Sequence, residues 1–363
     1  MGEVQSIPEE TSQFVLAKVA GRPRVSFMNT PSSHAPEPCT CSGLNRRDFI
    51  RHAGTGLAVA GLAGAAVAPA LDVALKPVAS ETLAATLFKS LSEKQRASLC
   101  FSFDHELRSK VDNNWHITKS TVADMTKDQQ DMVKAIFDGL HSPEYRETVY
   151  KQVVHDAGKA GFGGSAVAFF GEPGTGKFEF VFTGRHVTRR CDGDSVAGAA
   201  FGGPIFYGHA AKEFNETADH PGNVYWFQAK RANALYQALD GKQRKAALLG
   251  ESRGENGTDT IKLKGKSASM EGLRVGEMTP DQKGLVKKVM ADLLAPFRKA
   301  DADEAMKLIE KSGMDNLHMA FFQKENIGDD ETWDVWQIEG PAMLWYFRGK
   351  PHVHTWVHIR ETA

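Results

Sequence analysis

The sequence predicts an α+β fold built from one unit used twice. Each unit holds two to three helices followed by an antiparallel β-meander, and the two are related by a pseudo-twofold arrangement. Three observations lead there. Landmarks of the first half return in the same order in the second, roughly 150 residues later. Within each half the apolar residues change from helical spacing to strand alternation. Strict alternation of strand and helix is absent, which argues against a parallel nucleotide-binding sheet.

The recurring landmarks can be named. Leu91-Ser-Glu-Lys-Gln-Arg96 returns as Leu239-Asp-Gly-Lys-Gln-Arg244, and Met125-Thr-Lys-Asp-Gln129 as Met278-Thr-Pro-Asp-Gln282. Ala168-Phe-Phe170 returns as Ala320-Phe-Phe322, and Gly184 and Gly193 match Gly340 and Gly349. The chain therefore divides into a presequence over 1–70, a first unit over 71–222 and a second over 223–363, both units in one mature domain.

Taken in order, Leu83, Leu87 and Phe88 sit at helical spacing, as do Met132, Val133, Ile136, Phe137 and Leu140. Thr126 and Thr279 stand where N-caps belong, with Asp128 and Asp281 in the first turns and Pro280 at a first helical position. Another helix opens at Ser142-Pro-Glu-Tyr-Arg and runs to about Asp156, mirrored over 302–312, with Gly158 and Gly313 as stops. Ala166–Phe170, Phe178–Phe182 and Val187–Arg190 read as strands, the last closed by a tight Asp192-Gly193 hairpin turn. His318–Gln323, Trp333–Ile338, Met343–Phe347 and His352–Arg360 repeat the meander. The Gly-, Pro- and His-rich stretch 198–223 joins the halves, and the polar stretch 258–269 reads as an exposed strand or loop.

The chain has 363 residues, 41% apolar and 25% charged, with a net charge of −1. No basic run with interleaved aromatics occurs, so a nucleic-acid role has no electrostatic footing. Asn45-Arg-Arg-Asp-Phe-Ile50 precedes a weakly apolar stretch, Ala53–Ala70, with cleavage points of the A-x-A kind at Ala66, Ala68 and Ala70. This looks like a bacterial twin-arginine export signal, implying passage through that translocase and a periplasmic or secreted product with no stable membrane span. The stretch ahead of the arginines is long, and a start at Met28 would shorten it. Cleavage removes Cys39 and Cys41. Cys100 and Cys191 remain, to pair in an oxidising compartment or to stay as buried thiols.

Chemistry concentrates in the last strand. Side chains alternate, so His352, His354, Trp356 and His358 share one face. Imidazole suits zinc, copper, iron and nickel, although a solvated edge strand would carry the same residues. His186 falls on the same alternation as Phe180, Phe182 and Gly184. The repeat aligns it with Ala342, and aligns His352 and His354 with Val196 and Gly198, so the halves carry imidazoles at different places. If the halves pack about a twofold, His186 can face His352 and His354, giving a three-histidine transition-metal site (copper, zinc or iron) with an open position.

His358 and His209 are weaker ligand candidates, and Glu339, beside Gly340-Pro341, is a weak candidate acid or base. His220, in the joining stretch with His209, is a further candidate, and His105, His116 and His318 read as ordinary residues. Gly171-Glu-Pro-Gly-Thr-Gly-Lys177 has phosphate-loop spacing, but Phe178 follows where Ser or Thr is needed and a strand follows where a helix is needed. It reads as a hairpin turn, and no nucleotide is expected. The opposing functional reading is a metal-free periplasmic binding protein for a small molecule, with Trp333, Trp336, Trp345 and Trp356 lining a groove.

Phe169-Phe-Gly-Glu-Pro-Gly, Phe182-Thr-Gly-Arg-His186 and Phe201-Gly-Gly-Pro-Ile-Phe-Tyr-Gly208 resemble the domain-of-unknown-function family 3500. So do Leu91-Ser-Glu-Lys-Gln-Arg96, Ile338-Glu-Gly-Pro341 and His352-Val-His-Thr355, and the likeness covers about residues 80–360. That family is marked by a strand ending Gly-His-His, a Pro-Phe-Phe-Gly-like segment and a late His-x-His. The resemblance matches His186 to the second histidine of the first motif, and His352 and His354 to the last. Arg185 departs from the pattern, and His358 lies outside it. The family name implies no reaction.

Overall fold

The computed structural model describes residues 79–209, 224–325 and 332–363. The twin-arginine stretch, Cys39, Cys41 and His220 lie outside them. From Val73 to Ala363 the chain is one compact unit.

The helices form where the caps direct. Helix α1 (Ser80–Ser90) buries Ala84, Leu87 and Phe88, and α2 (Glu93–Leu99) starts from a Ser92/Gln95 capping box. Helix α3 (Lys127–Gly139) starts from a second box, Thr126/Gln129, and α4 (Arg146–Asp156) ends ahead of Gly158 at φ 59°. In the second half come α5 (Trp226–Gln237), α6 (Gly241–Ala247), α7 (Pro280–Leu294) and α8 (Lys299–Ser312). Asp240/Gln243 caps α6 and Thr279/Gln282 caps α7, each box worth about 1 kcal/mol. The boxes are joined in pairs. Gln95 Nε2 donates to Gln129 at 2.8 Å, and Gln243 Nε2 donates to Gln282 at 3.0 Å.

Among the described residues, one mixed sheet holds eleven strands. They are β1 (Cys100–Phe101), β2 (Ala166–Gly171), β3 (Phe178–Gly184), β4 (Val187–Cys191), β5 (Ile205–His209), β6 (Leu248–Leu249), β7 (Leu273–Arg274), β8 (His318–Phe322), β9 (Val335–Gly340), β10 (Met343–Arg348) and β11 (Val353–Ile359). The order is β1-β2-β3-β4-β5-β11-β10-β9-β8-β6, with β7 beside β8. Only β1–β2 and β6–β8 are parallel, so the α+β expectation holds. The two meanders meet where β5 pairs antiparallel with β11, His354 opposite Gly208 and Trp356 opposite Phe206.

Helices cover one face of the sheet, where Leu87, Phe137 and Val289 pack with Phe182, Trp345 and Val357. Loops cover the other. Val111 and Ile261 pack there on Phe206, Tyr346 and Trp356, while Ile117 packs on Phe170 and Val181. Most strands are therefore buried on both sides, which is why their sequences read as apolar runs.

The structure corrects several expectations. His186 is not on a strand. Gly184 pairs with Val187, so Arg185 and His186 form the tight turn between β3 and β4, with His186 at φ 58°. The Asp192-Gly193 turn forms, but β5 begins only at Ile205, so it is not a hairpin. Val196 and Gly198 lie in that connection rather than on the strand next to β11. The stretch 258–269 forms no strand and is not simply exposed, since Thr260 and Ile261 are buried against the sheet. Cys100 and Cys191 are both free. Residues 171–177 do form the β2–β3 hairpin turn. No helix of the described residues is long and apolar enough to cross a membrane.

Candidate metal centre

Three local features bring His186, His352 and His354 together. The β3–β4 turn is clamped from two sides: His186 N–H donates to Asn113 O at 2.8 Å, and Gly208 N–H donates to His186 O at 3.1 Å. Positive φ costs a non-glycine residue about 1 kcal/mol or more, and these bonds hold His186 in it. His352 directly precedes β11, and His354 is its second residue. Gly208, on β5, is the spacer. A Cβ there would collide with Val353 O and touch His186 Cβ at 3.4 Å, so only glycine lets the turn and β11 approach.

The three Nε2 atoms converge. His352 Nε2 lies 2.9 Å from His354 Nε2 and 3.2 Å from His186 Nε2. Nitrogens at such spacing leave a point about 2 Å from each, which is the zinc–imidazole bond length. His186 and His354 are buried and His352 half-buried.

Behind two of the rings stand carboxylates. His186 Nδ1 is 2.9 Å from Asp156 Oδ2, at the end of α4. His354 Nδ1 is 2.8 Å from Glu255 Oε2, in the loop that covers the sheet. Both are fixed in turn. Gln152 Nε2 donates to Asp156 Oδ2 at 2.6 Å; Trp356 Nε1 donates to Glu255 Oε1 at 2.7 Å, and Arg348 Nη1 lies 2.9 Å from Oε2. A carboxylate at Nδ1 holds the proton there and turns the Nε2 lone pair inward, the tautomer that metal ligation needs.

The electrostatics agree. Burial would raise the pKa of Asp156, but the hydrogen bond and charge of His186 bring it below the ordinary value. Glu255 is lowered against burial in the same way, by His354 and Arg348. Burial, with the neighbouring imidazoles, lowers His352 to about 3; burial lowers His354 to about 4 although Glu255 pulls the other way. Both rings are thus neutral at pH 7. With Nδ1–H donated to Glu255, His354 aims a lone pair at His352, which has one Nε2 hydrogen at most to share between the two nitrogens that face it. A cation between the rings removes that conflict, and the two carboxylates behind them balance a divalent charge.

The other candidates go elsewhere. His358 Nδ1 lies 3.0 Å from Ile261 O and fastens the covering loop. Glu339 is buried, with one oxygen 2.8 Å from Arg253 Nη2 and the other 3.0 Å from Lys264 Nζ, so it anchors that loop and is no free acid or base. His209, on β5, lies on the far side of Asp156, its Nδ1 3.8 Å from Oδ1. His105 caps a 3-10 turn by accepting from Leu107 N–H. Trp336, Trp345 and Trp356 are fully buried on opposite faces of the sheet and Trp333 is partly buried against the core, so the four do not line one groove. Sequence reasoning missed Asp156 and Glu255. Asp156 was visible only as a helix end, and Glu255, ahead of the polar stretch 258–269, was not singled out at all.

No curated protein and no solved structure matches the chain. One family does, over residues 77–362, and the motifs that resembled it include the two segments that carry the three histidines. The chain belongs to the family described as protein of unknown function (DUF3500).

Proposed function

We propose that the protein is a metal-dependent enzyme in which His186, His352 and His354 hold one transition ion through Nε2. The observation that carries this is the convergence of three imidazoles, two of them backed by carboxylates. Three protein ligands leave a tetrahedral ion one position for solvent or substrate, as catalytic rather than structural sites do. Zinc would suit a hydrolase, and copper or iron an oxidoreductase; imidazole ligation admits each. The test is metal analysis of the purified full chain beside the His352→Ala/His354→Ala variant. A bound ion lost in the variant is expected, and equal metal content in both would overturn the reading.

Two further readings accompany it. Arg46-Arg47 and the stretch after them support twin-arginine export to the periplasm. Retention of an Arg46→Lys/Arg47→Lys variant inside the cell is the expected result, and its undiminished export would refute this. The paired capping boxes, with Gln95–Gln129 set beside Gln243–Gln282 and a parallel strand at each end of the sheet, support descent of the two halves from one duplicated unit.

A further inference from the structure

On the other side of Asp156 stands a second group of metal-ligand type. His155 Nδ1 is 3.1 Å from Asp156 Oδ1, and His209 Nδ1 is 3.8 Å from the same oxygen. One ligand atom from each of His155, Asp156 and His209 lies within 4.8 Å of the other two. An ion with bonds of about 2.0–2.1 Å to tetrahedral ligands separates neighbouring ligand atoms by about 3.3–3.4 Å. The observed spacings straddle that value. The longer one exceeds a hydrogen bond yet suits two atoms sharing an ion.

The group is also built. Asp156 and His209 side chains are buried, whereas that of His155 is 49% exposed, so the cluster has one open side. Gln152 and His186 both engage Oδ2, which fixes the carboxylate with Oδ1 turned towards His155 and His209. The two imidazoles come from different elements, the end of α4 and the end of β5, and their ring centres lie 5.8 Å apart.

We propose that His155 Nδ1, Asp156 Oδ1 and His209 Nδ1 bind a second divalent transition-metal ion, so that Asp156 links two centres. Its Oδ2 reaches the first through His186. The second site stands on its own ligands, and only the linkage rests on the function proposed above. An ion on Oδ1 draws charge from the carboxylate and weakens its hold on the His186 proton, so occupancy of one centre alters affinity at the other.

The test is titration of the metal-free full chain with zinc chloride by calorimetry. Two equivalents are expected in the parent. One should remain in His352→Ala/His354→Ala, and a different one in His155→Ala/His209→Ala. His155→Ala alone, at a half-exposed position that leaves the core intact, should weaken the second equivalent by more than about tenfold. Asp156→Asn should weaken both. A single equivalent untouched by His155→Ala and abolished by His352→Ala/His354→Ala overturns the second site and leaves the first standing. A single equivalent abolished only by the His155 and His209 changes upholds this site and overturns the function proposed above. No binding in the parent overturns both.

Discussion

His186 combines two properties that ordinary folding does not ask of a histidine: a positive φ and a buried ring whose two nitrogens are both engaged. Its neighbours are arranged to hold that state, and Glu255 does the same for His354. Glu255→Gln keeps the size of the side chain and a hydrogen-bonding oxygen but removes the charge that favours the inward lone pair. It is expected to lower metal affinity by about 10–100-fold with little change in fold, read by competition against a chelator. Unchanged affinity would mean that Glu255 only braces Trp356 and Arg348. Two of the three proposed ligands, His352 and His354, were readable in sequence because a His-x-His pair in extended chain must share a face. His186 was picked for the right company on the wrong element: the alternation through Phe182 and Gly184 continues past the point where the chain turns.

At the scale of elements, the site depends on β5 lying between the β3–β4 turn and β11. Gly208 permits both approaches at once. Gly208→Ala pushes a methyl against Val353 O, with His186 packed close behind, so β11 must shift or the β5–β11 pairing must open. A loss of about 2–3 kcal/mol in urea unfolding, together with loss of the bound ion, is the expected outcome. A variant that bound metal normally would show the turn and strand to be independent of that spacing. The helices after Thr126 and Thr279 were legible from the cap residue and the acid two residues on, a purely local signal; the boxes at Ser92 and Asp240, which open α2 and α6, were read only as repeat landmarks. The role of the covering loop was not legible. Arg253, Glu255 and Lys264 look like ordinary surface charges until Glu339, Gln337 and His354 are set beneath them.

Across the whole molecule, the groups with displaced pKa values pull stability in opposite directions. His352 and His354 are lowered and favour the folded state less as pH falls below 6.5, because the unfolded chain binds protons first. Burial, with Asp192, Asp194 and Asp301 nearby, raises Glu304 to about 7; burial raises Asp301 to about 6 despite Arg298. For these acids the folded state holds the proton longer, so stability is lost as pH climbs from 3.8 towards about 6 for Asp301 and from 4.5 towards about 7 for Glu304. Glu304→Gln abolishes its share. Its melting temperature should match that of the parent near pH 4 and exceed it by about 1–2 °C at pH 8, a modest gain because Glu304 is only half-buried. Equal differences at the two pH values would show that Glu304 is not held protonated.

By itself the sequence determined the α+β class, the extent of most helices and strands, and the two segments that carry the three histidines. Each of these depends on neighbours a few residues apart, which periodicity and capping report directly. Only the tertiary structure decided that His186 sits in a turn, that loops close the second face of the sheet, and that Glu339 and His358 are anchors. It alone supplied Asp156 and Glu255, which stand 30 and 99 residues before the rings they orient. A carboxylate needs only to arrive at the right nitrogen. No local pattern in the chain marks where it will come from.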